Sequence, residues 1–265
     1  NVPMIRMRIT HTITATSTLD AGTSDSVDLE VVTSVACSPV ELDISYSVAT
    51  TLVDLVDGCP DYVSNDIAVN VFAPLTVEPG VTIAFLEGVR LSVKPGGSLT
   101  AVGSAGAPIT FTGSVKEAGS WGGIDLASGL PSVLEHVVVE YGVKNIRFSS
   151  DQSPSTLTLA NSIVRHSQEI GLEMVSNVHD SDLAGFSSNT FSDNPVALRL
   201  EVGNLTQLDA ASSYTEPSSD SVIEVTGGPA VGTRADGTWL ATGVDYVVAD
   251  SVRVQHAITI EDGVT

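Results

Sequence analysis

LEHVVVEYGVKNIRF (134–148), LANSIVRHSQEIGL (159–172) and NTFSDNPVAL (189–198) are three versions of one pattern. In the first, Leu134, His136, Val138, Glu140 and Tyr141 lead to Ile146 and Phe148. In the second, Leu159, Asn161, Ile163, Arg165 and His166 lead to Ile170 and Leu172. In the third, Asn189, Phe191, Asp193 and Asn194 lead to Val196 and Leu198. A period of roughly 24–28 residues is solenoid spacing, since one copy cannot bury its apolar face alone and a stack of copies can. In a β-solenoid successive turns lie about 4.8 Å apart, and equivalent positions form columns along the axis. The alignment predicts that Val138, Ile163 and Phe191 point inward as one column. Ile146, Ile170 and Val196 should form a second, and Phe148, Leu172 and Leu198 a third. It also places His136, Asn161 and Asn189 at one polar position, where side-chain amides can hydrogen-bond from turn to turn.

Working outward from this stretch, short alternating segments begin near residue 69. Leu75 and Val77, Ile83 and Phe85, Leu91 and Val93, Leu99 and Ala101, and Ile109 and Phe111 each put alternate side chains on one face. Pro79-Gly80, Pro95-Gly96-Gly97 and the run from Gly103 to Pro108 separate them, leaving connections too short for helical crossovers. A longer repeat overlies the short one. VNVFAPLTVEPGVT (69–82) matches VRVQHAITIEDGVT (252–265) at seven of fourteen positions, and Asp61-Tyr62-Val63 recurs as Asp245-Tyr246-Val247 with one residue of slippage.

Several of these motifs also carry a resemblance. Leu75-Thr76-Val77-Glu78-Pro79-Gly80-Val81-Thr82-Ile83, Gly97-Ser98-Leu99-Thr100-Ala101-Val102-Gly103, Pro108-Ile109-Thr110-Phe111-Thr112, Trp121-Gly122-Gly123-Ile124 and Val137-Val138-Val139-Glu140-Tyr141-Gly142 resemble the bacterial right-handed parallel β-helix repeat proteins of the pectate-lyase-like superfamily. The resemblance covers residues 61 to about 203 and restarts at Asp245. It implies an all-β chain folded as a right-handed parallel β-helix over 69–203. Residues 1–68 then form an N-terminal β-rich segment, read as the end of a preceding unit, 204–244 a connector, and 245–265 the start of a second β-helix unit. The superfamily includes polysaccharide lyases and hydrolases, adhesins, phage tailspikes and surface proteins, so the fold alone does not choose a function.

Composition narrows the field. The chain has 265 residues, 32 of them acidic and 11 basic, for a net charge of −21. That charge opposes binding to nucleic acid or to anionic lipid heads, and suits cations or a salty medium in which self-repulsion is screened. No apolar run is long enough to span a bilayer as a helix. Cys37 and Cys59 are the only cysteines, without a CxxC or a neighbouring His pair. A disulfide in an oxidising compartment is expected, with two buried free thiols as the alternative, so the location expected is extracellular or on the cell surface. The start at Asn1, with neither a methionine nor a leader, reads as a processed or excised piece. Asn204-Leu205-Thr206 matches the glycosylation sequon, a weak signal by itself.

Candidate chemistry follows from the register. A uronate lyase needs a base to abstract a proton and cations or Arg to stabilise the resulting anion. The alignment places Glu140, Arg165 and Asp193 in one column and Tyr141, His166 and Asn194 in the next. Together these would make a contact patch for carbohydrate or Ca²⁺. The competing reading is a ladder of alternating charge that pairs successive turns, and Glu173 with Arg199 repeats that device one strand later. His179, Asp180 and Asp182 could ligate a hard cation or belong to a solvated loop. Trp121 is expected to pack against the solenoid rather than stack on sugars. No catalytic residue and no resident metal site is assigned, and Ca²⁺ is the one cofactor the carboxylates would suit. The function expected is a non-catalytic scaffold for adhesion, envelope structure or glycan contact. The alternatives are a polysaccharide lyase or glycoside hydrolase acting on acidic glycans with Ca²⁺, and a unit that associates end to end or continues in further tandem units.

Overall fold

A computed structural model describes residues 4–16, 24–55, 58–64, 68–149, 155–175, 182–215, 221–227, 233 and 235–265. It opens with an antiparallel pair, β1 (Met4–Thr16) and β2 (Ser24–Ala36), in which Met4 faces Ala36 and Thr16 faces Ser24. From Val40 onward the strands are short and the pairing is parallel. The first turn carries β3 (Val40–Glu41), β4 (Ser45–Tyr46) and β5 (Thr50–Leu52). The second carries β6 (Tyr62–Val63), β7 (Val69–Val71) and β8 (Pro74–Val77). Next come β9 (Thr82–Phe85), β10 (Arg90–Val93) and β11 (Ser98–Val102), then β12 (Ile109–Gly113), β13 (Gly123–Leu126) and β14 (Ser132–Glu135). The repeat that decided the fold supplies β15 (Val137–Glu140), β16 (Lys144–Ser149), β17 (Thr156–Ala160), β18 (Ile163–Arg165), β19 (Ile170–Val175), β20 (Asp182–Ser187), β21 (Thr190–Ser192) and β22 (Val196–Glu201). A 3-10 turn (Val202–Gln207) follows, then β23 (Ser213–Thr215), β24 (Val222–Thr226), β25 (Gly237–Trp239), β26 (Asp245–Val248) and β27 (Ile258–Ile260).

These strands stack as a parallel β-solenoid of about eight turns. One sheet has eight strands (β3, β6, β9, β12, β15, β18, β21, β23) and a second has nine (β4, β7, β10, β13, β16, β19, β22, β24, β26). A third has six (β5, β8, β11, β14, β17, β20), while β25 and β27 pair separately. Strand pairing crosses residues 68/69, 203/204 and 244/245, where the sequence reading drew its divisions. The interior is a set of apolar columns. Tyr62, Ile83, Phe111, Val139, Val164, Phe191 and Tyr214 lie at one register in the eight-stranded sheet, all buried. Val69, Leu91, Ile124, Ile146, Leu172, Leu198 and Ile223 do the same in the nine-stranded sheet. Burial of this kind contributes about 1.5–3 kcal/mol for each large aliphatic or aromatic side chain, and it is what holds successive turns together.

The register corrects each of the four expected columns. Ile163 pairs with Val138 on one side and Thr190 on the other and is 37% exposed, while the inward residues are Val139, Val164 and Phe191. Val137-Val138-Val139 and Ile163-Val164 are apolar in both phases of the strand, so alternation alone could not say which face was inside, and a slip of one residue inverts every side chain. In the second sheet Ile146 meets Leu172 rather than Ile170, and Phe148 meets Met174 rather than Leu172, because the corner before β19 is one residue longer than that before β16. At the bend before the first-sheet strand, His136 and Asn161 share their left-handed position with Ser188, and Asn189 sits one residue further on.

The longer repeat is also visible in three dimensions. Gly80 and Gly263 both take positive φ, 91° and 95°, in turns closed by the Val81 and Val264 N–H groups donating to the carbonyls of Glu78 and Glu261. Val71 and Val77 are completely buried between neighbouring turns, whereas their counterparts Val254 and Ile260 are more than half exposed. The two copies of the Asp-Tyr-Val motif lie in different sheets, β6 in the eight-stranded and β26 in the nine-stranded. Asn204 of the sequon is fully buried, which removes it as a glycosylation acceptor in the folded chain.

Candidate functional site

The candidate residues gather at the outer end of the eight-stranded sheet and the corner that leads into the nine-stranded one. Because Val139 points inward, Glu140 points outward at the end of β15. Register sets it between Thr112 of β12 and Arg165 of β18. Its carboxylate is nonetheless buried. Thr112 Oγ1 donates to Oε1 at 2.9 Å, Lys116 Nζ lies 3.1 Å from the same oxygen, and Arg165 reaches Oε2 with Nε at 2.8 Å and Nη2 at 2.7 Å. Burial pushes the Glu140 carboxyl up, but the hydrogen bonds from Arg165, Thr112 and Lys116 and the Lys116 charge outweigh it and hold the group below its ordinary range. A carboxylate bonded on both oxygens in this way is a poor proton acceptor.

Beside it runs the corner column Tyr141, His166 and Asp193, each with positive φ, at 65°, 55° and 56°. A residue without glycine's freedom adopts this conformation only where its surroundings enforce it. Tyr141 and His166 stack with centroids 5.0 Å apart, Lys116 Nζ lies 5.4 Å from the Tyr141 ring, and His166 Nδ1 is 3.4 Å from Asp193 Oδ2. The third copy is thus shifted by one residue from its expected place. Arg165 pairs with Ser192, and Asp193 occupies the corner expected for Asn194. Asn194 is buried instead, its Oδ1 accepting the Ser167 N–H at 3.2 Å and its Nδ2 donating to the Val164 carbonyl at 2.9 Å. Asn189 and Asn145 bridge turns in the same manner, satisfying backbone groups that the corners would otherwise leave unpaired.

A second ladder, which the sequence showed only at Glu173 and Arg199, runs along the outer face of the nine-stranded sheet. Asp125, Arg147, Glu173, Arg199 and Glu224 occupy one register on β13, β16, β19, β22 and β24. Arg147 Nη1 is 3.2 Å from Asp125, and Arg147 Nε is 3.4 Å from Glu173. Lys144 and Arg199 each reach Glu173 at 2.8 Å, and Arg199 also pairs with Glu224. The steps between these residues vary because the intervening loops differ in length, so no fixed period reveals the ladder in the sequence. Thr112 and Lys116 were missed for a related reason, since Lys116 comes from a loop with no counterpart in the repeat.

Asp182 stands apart from this cluster, at the head of β20 in the six-stranded sheet, where Gln207 Nε2 donates to it at 3.3 Å. His179 and Asp180 lie outside the described residues. Trp121 is fully buried, stacked on Phe85 at 4.4 Å with its Nε1 donating to the Glu140 carbonyl at 2.8 Å, as packing against the solenoid requires. Cys37 and Cys59 form a disulfide with Cα atoms 5.7 Å apart. Among the described residues no helix is long and apolar enough to cross a membrane. No protein-family model matches the chain, and no curated protein or solved structure matches it.

Proposed function

We propose that the chain is a non-catalytic β-helical scaffold, displayed outside the cell in adhesion, envelope structure or glycan contact. The observation that carries this reading is the mutual engagement of the charged groups. Glu140, Glu173 and Asp125 are each bonded by cations from neighbouring turns, and Arg165 directs both Nε and Nη2 at Glu140. Charge arranged in this way ties turn to turn, and it leaves Glu140, the carboxylate that Arg165 meets, a poor base for proton abstraction. The disulfide supports a location in an oxidising compartment. The Tyr141–His166 corner, with Lys116 above it, is the place where a sugar ring would rest. The test is incubation of the protein with polyuronates, with and without Ca²⁺, while following absorbance from unsaturated uronide. No release is expected. Release that disappears in Arg165→Ala, while the variant stays folded by circular dichroism, would replace the scaffold reading with a lyase.

A further inference from the structure

The cations of this chain are unevenly placed. Arg90, Lys116, Lys144, Arg147, Arg165 and Arg199 all lie in the two ladders, over Asp125, Glu140, Glu173 and Glu224. Among the described residues from Val40 onward, Lys94 and Arg253 are the only other Lys or Arg. The other charges of the described surface from Val40 onward are mostly acidic. Glu41, Asp54, Glu78, Glu87, Glu117 and Glu169 are all exposed, and none meets a cation within ion-pair distance among the described residues. Apart from Glu41 at the end of β3 they come from corners and loops, and they are spread along the solenoid, so they form no single site. The molecule therefore carries two charge systems with opposite responses to salt. The ladder carboxylates Asp125, Glu140 and Glu173 are buried under their partners and Glu224 is half-buried, and pairs of that kind are screened weakly. The exterior charges are solvated and alike, and their repulsion, which opposes the compact state, is screened strongly.

We infer that the solenoid is conditioned by salt: a diffuse layer of hydrated monovalent cations over the acidic exterior stabilises the fold, with no dedicated metal site. The sign follows from the partition, because screening relieves the repulsive system while leaving most of the attractive one. Melting of the intact chain is followed by circular dichroism in NaCl from about 0.1 M to about 1 M, over which the screening length falls from about 10 Å to about 3 Å. A rise in Tm of roughly 5 °C or more is expected, matched by KCl and by choline chloride. A variant carrying Glu78→Gln, Glu87→Gln and Glu117→Gln should melt higher at low salt and show a shallower salt dependence. Glu173→Gln should melt lower at every salt with the dependence preserved. A Tm that stays flat or falls with NaCl overturns the inference. So does a rise that choline does not reproduce, one that saturates at low millimolar CaCl₂, or a triple variant whose salt dependence is unchanged.

Discussion

Ile163 and Val164 are adjacent, apolar and both in β18, yet their surroundings are opposite. Val164 is completely buried between Val139 and Phe191, and Ile163 lies on the outer face beside Val138 and Thr190. Val164→Asp places an unpaired charge in the core and should cost about 3–5 kcal/mol, enough to unfold neighbouring turns. Ile163→Asp should stay within about 1 kcal/mol of the parent, being a surface change. Urea melts of the two variants check this, and comparable losses would mean that the register is wrong. The same pair marks what could be read in advance. That residues 134–198 coil was legible, because three copies of one pattern survive changes of residue type. Which phase of each strand faces inward was not, because β-branched residues occupy both phases and the corner residues that fix the phase are His, Tyr, Asn, Ser and Asp rather than a telltale glycine.

Among the elements, β13, β16, β19, β22 and β24 share an outer column whose charges alternate, and its members should not contribute equally. Glu173 is buried and held by Lys144, Arg147 and Arg199, whereas Arg90 reaches Asp125 only at 3.8 Å from a half-exposed position. A double-mutant cycle of Glu173→Gln with Arg199→Gln should give a coupling of about 1–2 kcal/mol, and the corresponding cycle on Arg90 and Asp125 less than about 0.5 kcal/mol. The first coupling should also depend on pH. Burial raises the Glu173 carboxyl, but the bonds from Lys144 and Arg199 and their charges lower it further, so the folded group binds its proton less readily than the unfolded one, whose ordinary value is 4.5. Its contribution is therefore complete above that value and is lost as the pH falls through the lower folded one. Repeating the cycle in acid should abolish the coupling, and a coupling undiminished there would assign it to packing. Glu140 obeys the same sign. Only fragments of either ladder were legible, since the parallel pairing that assembles it follows loop lengths, which a list of charged residues does not contain.

For the molecule as a whole, stability is close to a sum over neighbouring turns, so where a constraint sits determines what it protects. The Cys37–Cys59 disulfide spans 22 residues and ties the start of the first turn to the entry of the second. Reducing it should lower stability by about 3 kcal/mol, with the loss confined to the first turns rather than spread along the solenoid. Hydrogen exchange with and without reductant checks both parts, as faster exchange at Val71 but not at Leu198 is expected. That pairing was legible because only one pairing was available. The two Asp-Tyr-Val motifs point to something of a different kind. Each is followed by the same glycine turn, and each donates a backbone N–H to the threonine carbonyl just after that turn, from Asp61 to Thr82 and, one position further along the motif, from Tyr246 to Thr265, both at 2.8 Å. Yet one is built into the eight-stranded sheet and the other into the nine-stranded. The motif meets the chain beyond its glycine turn in either wall, through Asp61 in one and through Tyr246 in the other, so a repeated segment need not contain a whole number of coils to be accommodated. Lengthening such a chain by duplication then asks only that each new strand find a parallel neighbour, whichever of the walls it joins.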